Sequence, residues 1–403
     1  MRRLILLPIL LGLAAYCGCG ARTEIAPEQL PPDASPTCGY WGGTCCGQKC
    51  AKGLACSAGT CIAVDGGAPP PSCASEAAGA SNCGLEGDGG GGESCCTSLE
   101  VPTGTYFRTY TNNGAGPTGE ADPATVSGFR LDKYLVTVGR FRRFVEAWNS
   151  GWRPVPGSGI HEHLNDGQGL ANSASPGTFE TGWGSAYDEY VAPTNANLAC
   201  SFCSVGRPAL DDTWTPIAGD NENLPINCTN WFDAYAFCIW DGGFLPSEAE
   251  WEYAAAGGNQ QREYPWGAAA PGRNNAFAIY DCLYPRPVPC PSSVAVDVAP
   301  VGVAMAGAAR WGQLDIAGEE NEWTLDSWAP ADVPNLPCLV CVLPYVDPCV
   351  DCTYSSGTLT PQNVILRGGA FDEPISNMLP PSRNQNAPSD RSPDIGVRCA
   401  RSP

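Results

Sequence analysis

Leu245-Pro246-Ser247-Glu248-Ala249-Glu250-Trp251-Glu252-Tyr253-Ala254-Ala255 is the stretch on which the fold turns. Ser247 stands three residues ahead of Glu250, so its hydroxyl and that carboxylate can satisfy each other's orphan backbone amides in a capping box. A helix is expected to start there, and the cap accounts for its acids without a catalytic role. Upstream, Trp231 to Asp241 reads as another helix, fronted by Thr229 or Asn230 and stopped by Gly242-Gly243. Before it, Phe129 to Leu135 reads as a strand. Val136 to Trp148 places Val138, Phe141, Val145 and Trp148 at helical spacing, an apolar stripe best explained as core. Downstream come short β runs at Asn363 to Arg367 and Ile395 to Cys399. The layout is α+β with little regular structure.

The 403-residue chain is 43% hydrophobic and only 16% charged, and with 48 Gly and 38 Pro it should be rich in loops without being wholly disordered. A formal charge of -20 repels a phosphate backbone, which argues against nucleic acid as a partner. Arg2 and Arg3 precede an apolar run from Leu4 to Ala15 that is short for a membrane span, so residues 1–20 read as an export signal. Cys17 or Cys19 offers a lipidation site, which would make an N-terminal lipid anchor the sole membrane contact; plain secretion is the alternative. Twenty-three cysteines behind such a signal imply an oxidising destination and disulfides, in a periplasmic or cell-surface lipoprotein or a secreted protein. The densest group, Cys38 to Cys61, has almost no apolar side chains for a core and reads as a disulfide-rich, knottin-like module. Residues 21–37 and the Pro- and Gly-rich 62–94 read as linkers on either side of it, leaving 95–403 as the globular domain.

Four segments in order resemble one family: Tyr134 to Phe141; Asn230 to Cys238 running into Leu245 to Ala255 and Tyr264-Pro265-Trp266-Gly267; Trp311 to Trp323; and Leu366 to Phe371 with Asp394 to Cys399. The chain is identified as a member of the formylglycine-generating enzyme, or sulfatase-modifying factor, family. That resemblance implies an irregular, C-type-lectin-like α+β fold. It also implies a Cu(I) site made by two cysteines just after the Arg-Gly-Gly-Ser segment, since a soft monovalent ion takes thiolates. Here the positions fall on Glu373 and near Met378, and the serine has become Ala370. A carboxylate and a thioether hold Cu(I) far more weakly, so copper and the family's oxidase activity are not expected. The resemblance further implies a Cys238–Cys399 disulfide and calcium on loop oxygens, with Glu319 and Asn321 at one site and Asn275 at a second; an acidic solvated turn is the alternative.

Other signals are weaker. Cys200-Ser201-Phe202-Cys203, Cys338-Leu339-Val340-Cys341 and Cys349-Val350-Asp351-Cys352 read as disulfide cysteines before zinc ligands. The only histidines, His161 and His163, read as members of a solvated loop, without an identifiable acidic partner. Two functions follow. The first is a binding scaffold for a peptide, protein or glycan, with Trp214, Trp266, Tyr280, Tyr284 and Trp328 as candidate contact aromatics. The second is a divergent oxidase or maturation enzyme acting on a peptide or small molecule, its pocket drawn from Ala370, Asp372, Glu373, Ser376, Met378 and Arg383.

Overall fold

The computed structural model describes residues 54–57, 60–63, 69–74, 79–84, 93–200, 211–285, 298–328, 345–355 and 363–403. The export signal, Cys17, Cys19, the 21–37 linker, Cys203, Cys338 and Cys341 lie outside them. So does the 38–61 module, apart from an antiparallel hairpin of Leu54–Ser57 with Thr60–Ala63.

In chain order the domain has strands β1 (Ser98–Val101), β2 (Gly104–Asn112), β3 (Pro117–Val126) and β4 (Phe129–Asp132), then helices α1 (Val138–Asn149), α2 (Trp231–Trp240) and α3 (Glu248–Ala256). Strands β5 (Asn321–Ser327), β6 (Cys349–Val350), β7 (Cys352–Thr353), β8 (Val364–Arg367), β9 (Asn384–Asn386), β10 (Ile395–Gly396) and β11 (Ala400–Arg401) follow. A four-stranded sheet runs β9-β8-β5-β10, and two three-stranded sheets run β11-β4-β1 and β6-β3-β2. The result is a mixed sheet and helix fold in which short elements hang on long loops.

Each helix starts where its cap dictates. Thr137 accepts from the Arg140 amide, Asn230 from Asp233, and Ser247 from Glu250 in a complete capping box. α3 ends at Gly257, whose φ of 67° suits a glycine C-cap. Phe141 and Phe144 of α1 pack on Phe237 of α2, and this cluster continues to Trp231, Trp323, Leu366 and Val397. The Cys238–Cys399 disulfide joins α2 to the C-terminal segment, spanning 161 residues.

Buried ion pairs lock the recurrent segments together. Arg140 of α1 bonds Asp132 at 3.0 Å and Asp241 at 2.7 Å, and Arg401 binds the same two carboxylates. Arg398 grips Glu322 through Nε and Nη2 at 2.8 to 3.0 Å and caps the carbonyls of Asp132, Lys133 and Leu314. Buried charges persist only when geometry and hydrogen bonds are this complete.

The reading of 62–94 as a linker needs correction at its described residues 69–74 and 79–84. Ser72 is fully buried, donates its amide to Asp241 at 2.9 Å and accepts from Arg140 Nε at 3.1 Å. Disulfides Cys73–Cys96 and Cys83–Cys95 fasten this strap to the domain, and Ser81–Cys83 pairs with Glu93–Ser94. Its Pro and Gly content resembles that of a solvated linker, but its polar groups complete a buried charge network.

Candidate functional site

All nine residues of α3 are buried, three of them glutamates. A helix buried all round must pair every charge it carries, and these three pairings build the ground beneath the site. Glu248 takes Arg367 Nη2 at 2.7 Å and Arg383 Nε at 2.6 Å. Glu252 takes Arg367 Nη2 at 2.9 Å and the Tyr345 hydroxyl at 3.0 Å, and burial pushes its carboxyl up to about 7. Asp326, buried beside Glu248, is likewise pushed up to about 7 while accepting the Glu248 and Tyr354 amides. The Tyr345 ring lies between the guanidinium groups of Arg108 and Arg383, at 4.2 and 4.3 Å.

Glu250 faces another way. With Glu180 it clamps His161, whose ring nitrogens lie 2.9 Å from Glu180 Oε1 and 3.0 Å from Glu250 Oε2. Burial alone would lower the His161 pKa, but the two carboxylates outweigh it and raise it to about 10, so the ring is an imidazolium. This corrects the solvated-loop reading of His161. Its partners stand 19 and 89 residues away, too far apart in sequence for a local pattern to expose them.

Beyond β8 the chain turns through Gly368 (φ 102°) and Gly369 (φ 70°). A Cβ on Gly369 would stand 3.0 Å from the Asn377 carbonyl oxygen in a left-handed backbone conformation, so glycine suits this turn. The turn opens a small cleft whose lining includes Asn321, Gly369, Glu373, Asn377, Arg383 and Asn384. Glu373 Oε2 accepts the Ala370 amide at 3.1 Å and Asn321 Nδ2 at 3.2 Å, while Asn384 Nδ2 approaches Oε1 at 3.5 Å. Burial raises the Glu373 pKa.

Of the pocket residues expected from sequence, Glu373 and Arg383 meet in the cleft. The others do not line it. Ala370 and Met378 are buried in the interior, Asp372 is half-buried, and Ser376 is exposed with its hydroxyl on Asn377. Sequence reasoning missed Asn377 and Asn384, and it placed Asn321 with calcium rather than on Glu373. The pairing of β8 with β9, Leu366 opposite Asn384, brings Asn384 to the cleft, and no motif announces that register.

The calcium candidates separate. Asn321 donates to Glu373. Glu319 is buried and accepts the Ala299 amide at 2.7 Å, and burial together with the neighbouring Asp315 holds its pKa well above the ordinary range. Asp315, itself pushed up to about 6 by burial, accepts the Gly302 amide. Among the described residues no group of three or more His, Cys, Asp or Glu side chains is placed to hold a metal ion. Asn275 donates to the Leu283 carbonyl, and its buried Oδ1 has no hydrogen-bond partner among the described residues.

Of the five candidate aromatics, Trp214 and Tyr280 are buried with their polar atoms bonded internally. Tyr284 packs partly buried against the Ile279 cluster. Trp266 is half-buried in a stack on Tyr264, and Trp328 lies half-buried against Arg383. Every cysteine with a described side chain is disulfide-bonded, including Cys282, whose amide bonds Phe371 beside the cleft. Cys349 bonds Cys352, whereas Cys200 reaches past its local motif to Cys228.

Residues 92–403 match the sulfatase-modifying factor enzyme 1-like domain. The chain is 25% identical over 320 residues to the formylglycine-generating enzyme of Mus musculus, covering 75% of this chain and 74% of that protein. It is 26% identical over 247 residues to the inactive C-alpha-formylglycine-generating enzyme 2 of the same organism, covering 58% and 70%. A third similarity, 31% over 183 residues, is to hercynine oxygenase of Mycolicibacterium thermoresistibile, over 44% of this chain and 35% of that protein. The match of 92–403 spans the helices, the sheets and the cleft alike, and the chain belongs to the sulfatase-modifying factor enzyme 1-like domain family.

Proposed function

We propose that the protein is an exported binding scaffold, periplasmic, lipid-anchored at the cell surface or secreted, whose lectin-like domain offers the cleft beside Gly369 to a peptide, protein or glycan ligand. The observation that carries this reading is the chemistry of the cleft. Glu373 stands where the family resemblance puts a thiolate, it is held by amide donors, and the cysteines with described side chains are all tied in disulfides. Two thiolates are what a Cu(I) oxidase of this kind requires. Relatives include a protein named as inactive, which makes a non-catalytic member plausible chemistry for this fold. Calcium at Glu319 and Asp315, with Asn275 at a second place, would stiffen the loops around the cleft. The competing reading is a divergent enzyme, favoured by the half-buried Glu373 carboxyl and its raised pKa.

The deciding experiment loads the full chain with Cu(I) and follows oxygen consumption with a cysteine-containing sulfatase peptide. The scaffold reading expects weak, non-stoichiometric copper and no turnover. Tight one-to-one capture with conversion of the peptide thiol to an aldehyde overturns it.

A further inference from the structure

The cleft carries more information than its location. Its two arginines are already spent: Arg367 pairs with Glu248 and Glu252, and Arg383 with Glu248. Glu373 has uncharged donors only, the Ala370 amide and the carboxamides of Asn321 and Asn384, together with Asn377; among the described residues no cationic side chain pairs with it. Both guanidinium groups are thus engaged by α3 carboxylates, while Glu373 is held by uncharged donors. Oε2 holds two donors at 3.1 and 3.2 Å, Asn384 Nδ2 stands 3.5 Å from Oε1 at the outer limit of a hydrogen bond, and the Asn377 carboxamide adds a further bond to the same carboxylate. Each surrounding carboxamide also carries an oxygen able to accept.

Size narrows the choice of occupant. The cleft is narrow at its base, with room against Glu373 for about one water-sized group. A primary ammonium is nearly the size of water, carries three donors and a full charge, and in lysine sits on a narrow unbranched stem. The geometry points to a lysine-type recognition site: Glu373 Oε1, framed by Asn321, Asn377 and Asn384, receives the primary ammonium of a lysine side chain or peptide amino terminus. This deepens the scaffold reading and rests on it. The formal charge of -20 adds long-range attraction for such a ligand.

The test titrates the full-chain protein with Nα-acetyl-lysine amide, its Nε-acetylated counterpart, Nα-acetyl-arginine amide and glycine amide, with sodium and calcium chloride as competitors. Binding by the lysine compound and glycine amide is expected, with at least a tenfold loss on Nε-acetylation and weaker binding of the arginine compound. Glu373→Gln, nearly isosteric, should weaken lysine binding at least tenfold with an unchanged thermal melt. Asn384→Ala, at an exposed position, should weaken it severalfold and serves if the first variant misfolds. Equal binding of the lysine and Nε-acetyl-lysine compounds, absence of binding by either amine, or full affinity in both variants overturns the assignment. Stoichiometric displacement by calcium alone makes this an inorganic cation site and also overturns it. A neutral or acidic peptide held in the cleft would sink the ammonium assignment while leaving the scaffold reading intact; the copper experiment tests that reading separately.

Discussion

His161→Gln is the most informative perturbation of the fold, because a single charge there holds the Glu180 loop against the N-terminus of α3. In the folded protein its pKa is raised to about 10 from 6.5. A group raised in this way contributes stability that is fully present below its unfolded pKa and is lost as pH rises through the folded one. At about 1.36 kcal/mol per pKa unit the full contribution is about 5 kcal/mol, of which about 4 remains at pH 7 and about 1 at pH 9. Breaking a buried pair from one side typically costs about 3–5 kcal/mol, the same range. Urea unfolding of wild type and His161→Gln at pH 6, 7, 8 and 9 should therefore show a stability gap of about 4 kcal/mol at neutrality that shrinks by more than half between pH 7 and pH 9. Taking the difference between the two proteins at each pH cancels the titration of the many other acids. A gap that stays constant with pH, or lies below about 1 kcal/mol at pH 7, would show that the ring is neutral in the native state and refute the reasoning.

Three further outcomes are expected. Replacing Cys238 and Cys399 together by serine should destabilise the domain by about 4–5 kcal/mol on the chain-entropy account, read by denaturant unfolding under non-reducing conditions; a change under 1 kcal/mol would mean the other disulfides already restrain this loop. Ser72→Ala removes the hydroxyl from Arg140 but keeps the amide on Asp241, and should cost about 1.5–3 kcal/mol, whereas an exposed linker residue would cost nothing measurable. Chelation of calcium should lower the melting temperature if the Glu319 and Asp315 carboxylates hold the ion, and Glu319→Gln should abolish that sensitivity; an unchanged wild-type melt removes calcium from the account.

Sequence by itself determined what depends on neighbours along the chain. The capping box at Ser247 and Glu250, a cap at Thr229 or Asn230 and the apolar stripe of α1 were legible because hydrogen bonds between residues three apart and a 3.6-residue period leave their mark locally. The replacement of expected thiolates by Glu373 and Met378 was equally plain, since it is a matter of residue identity. Tertiary structure alone decided which charges meet. Glu248 finds Arg367 and Arg383 more than a hundred residues away, Glu180 and Glu250 converge on His161, and Ser72 of an apparent linker completes the Arg140 and Asp241 network. The same holds for the cleft, where the β8–β9 register carries Asn384 to Glu373. Long-range electrostatic pairing has no period and no fixed spacing, so a one-dimensional pattern cannot encode it; it exists only once the backbone has brought distant segments within hydrogen-bond reach.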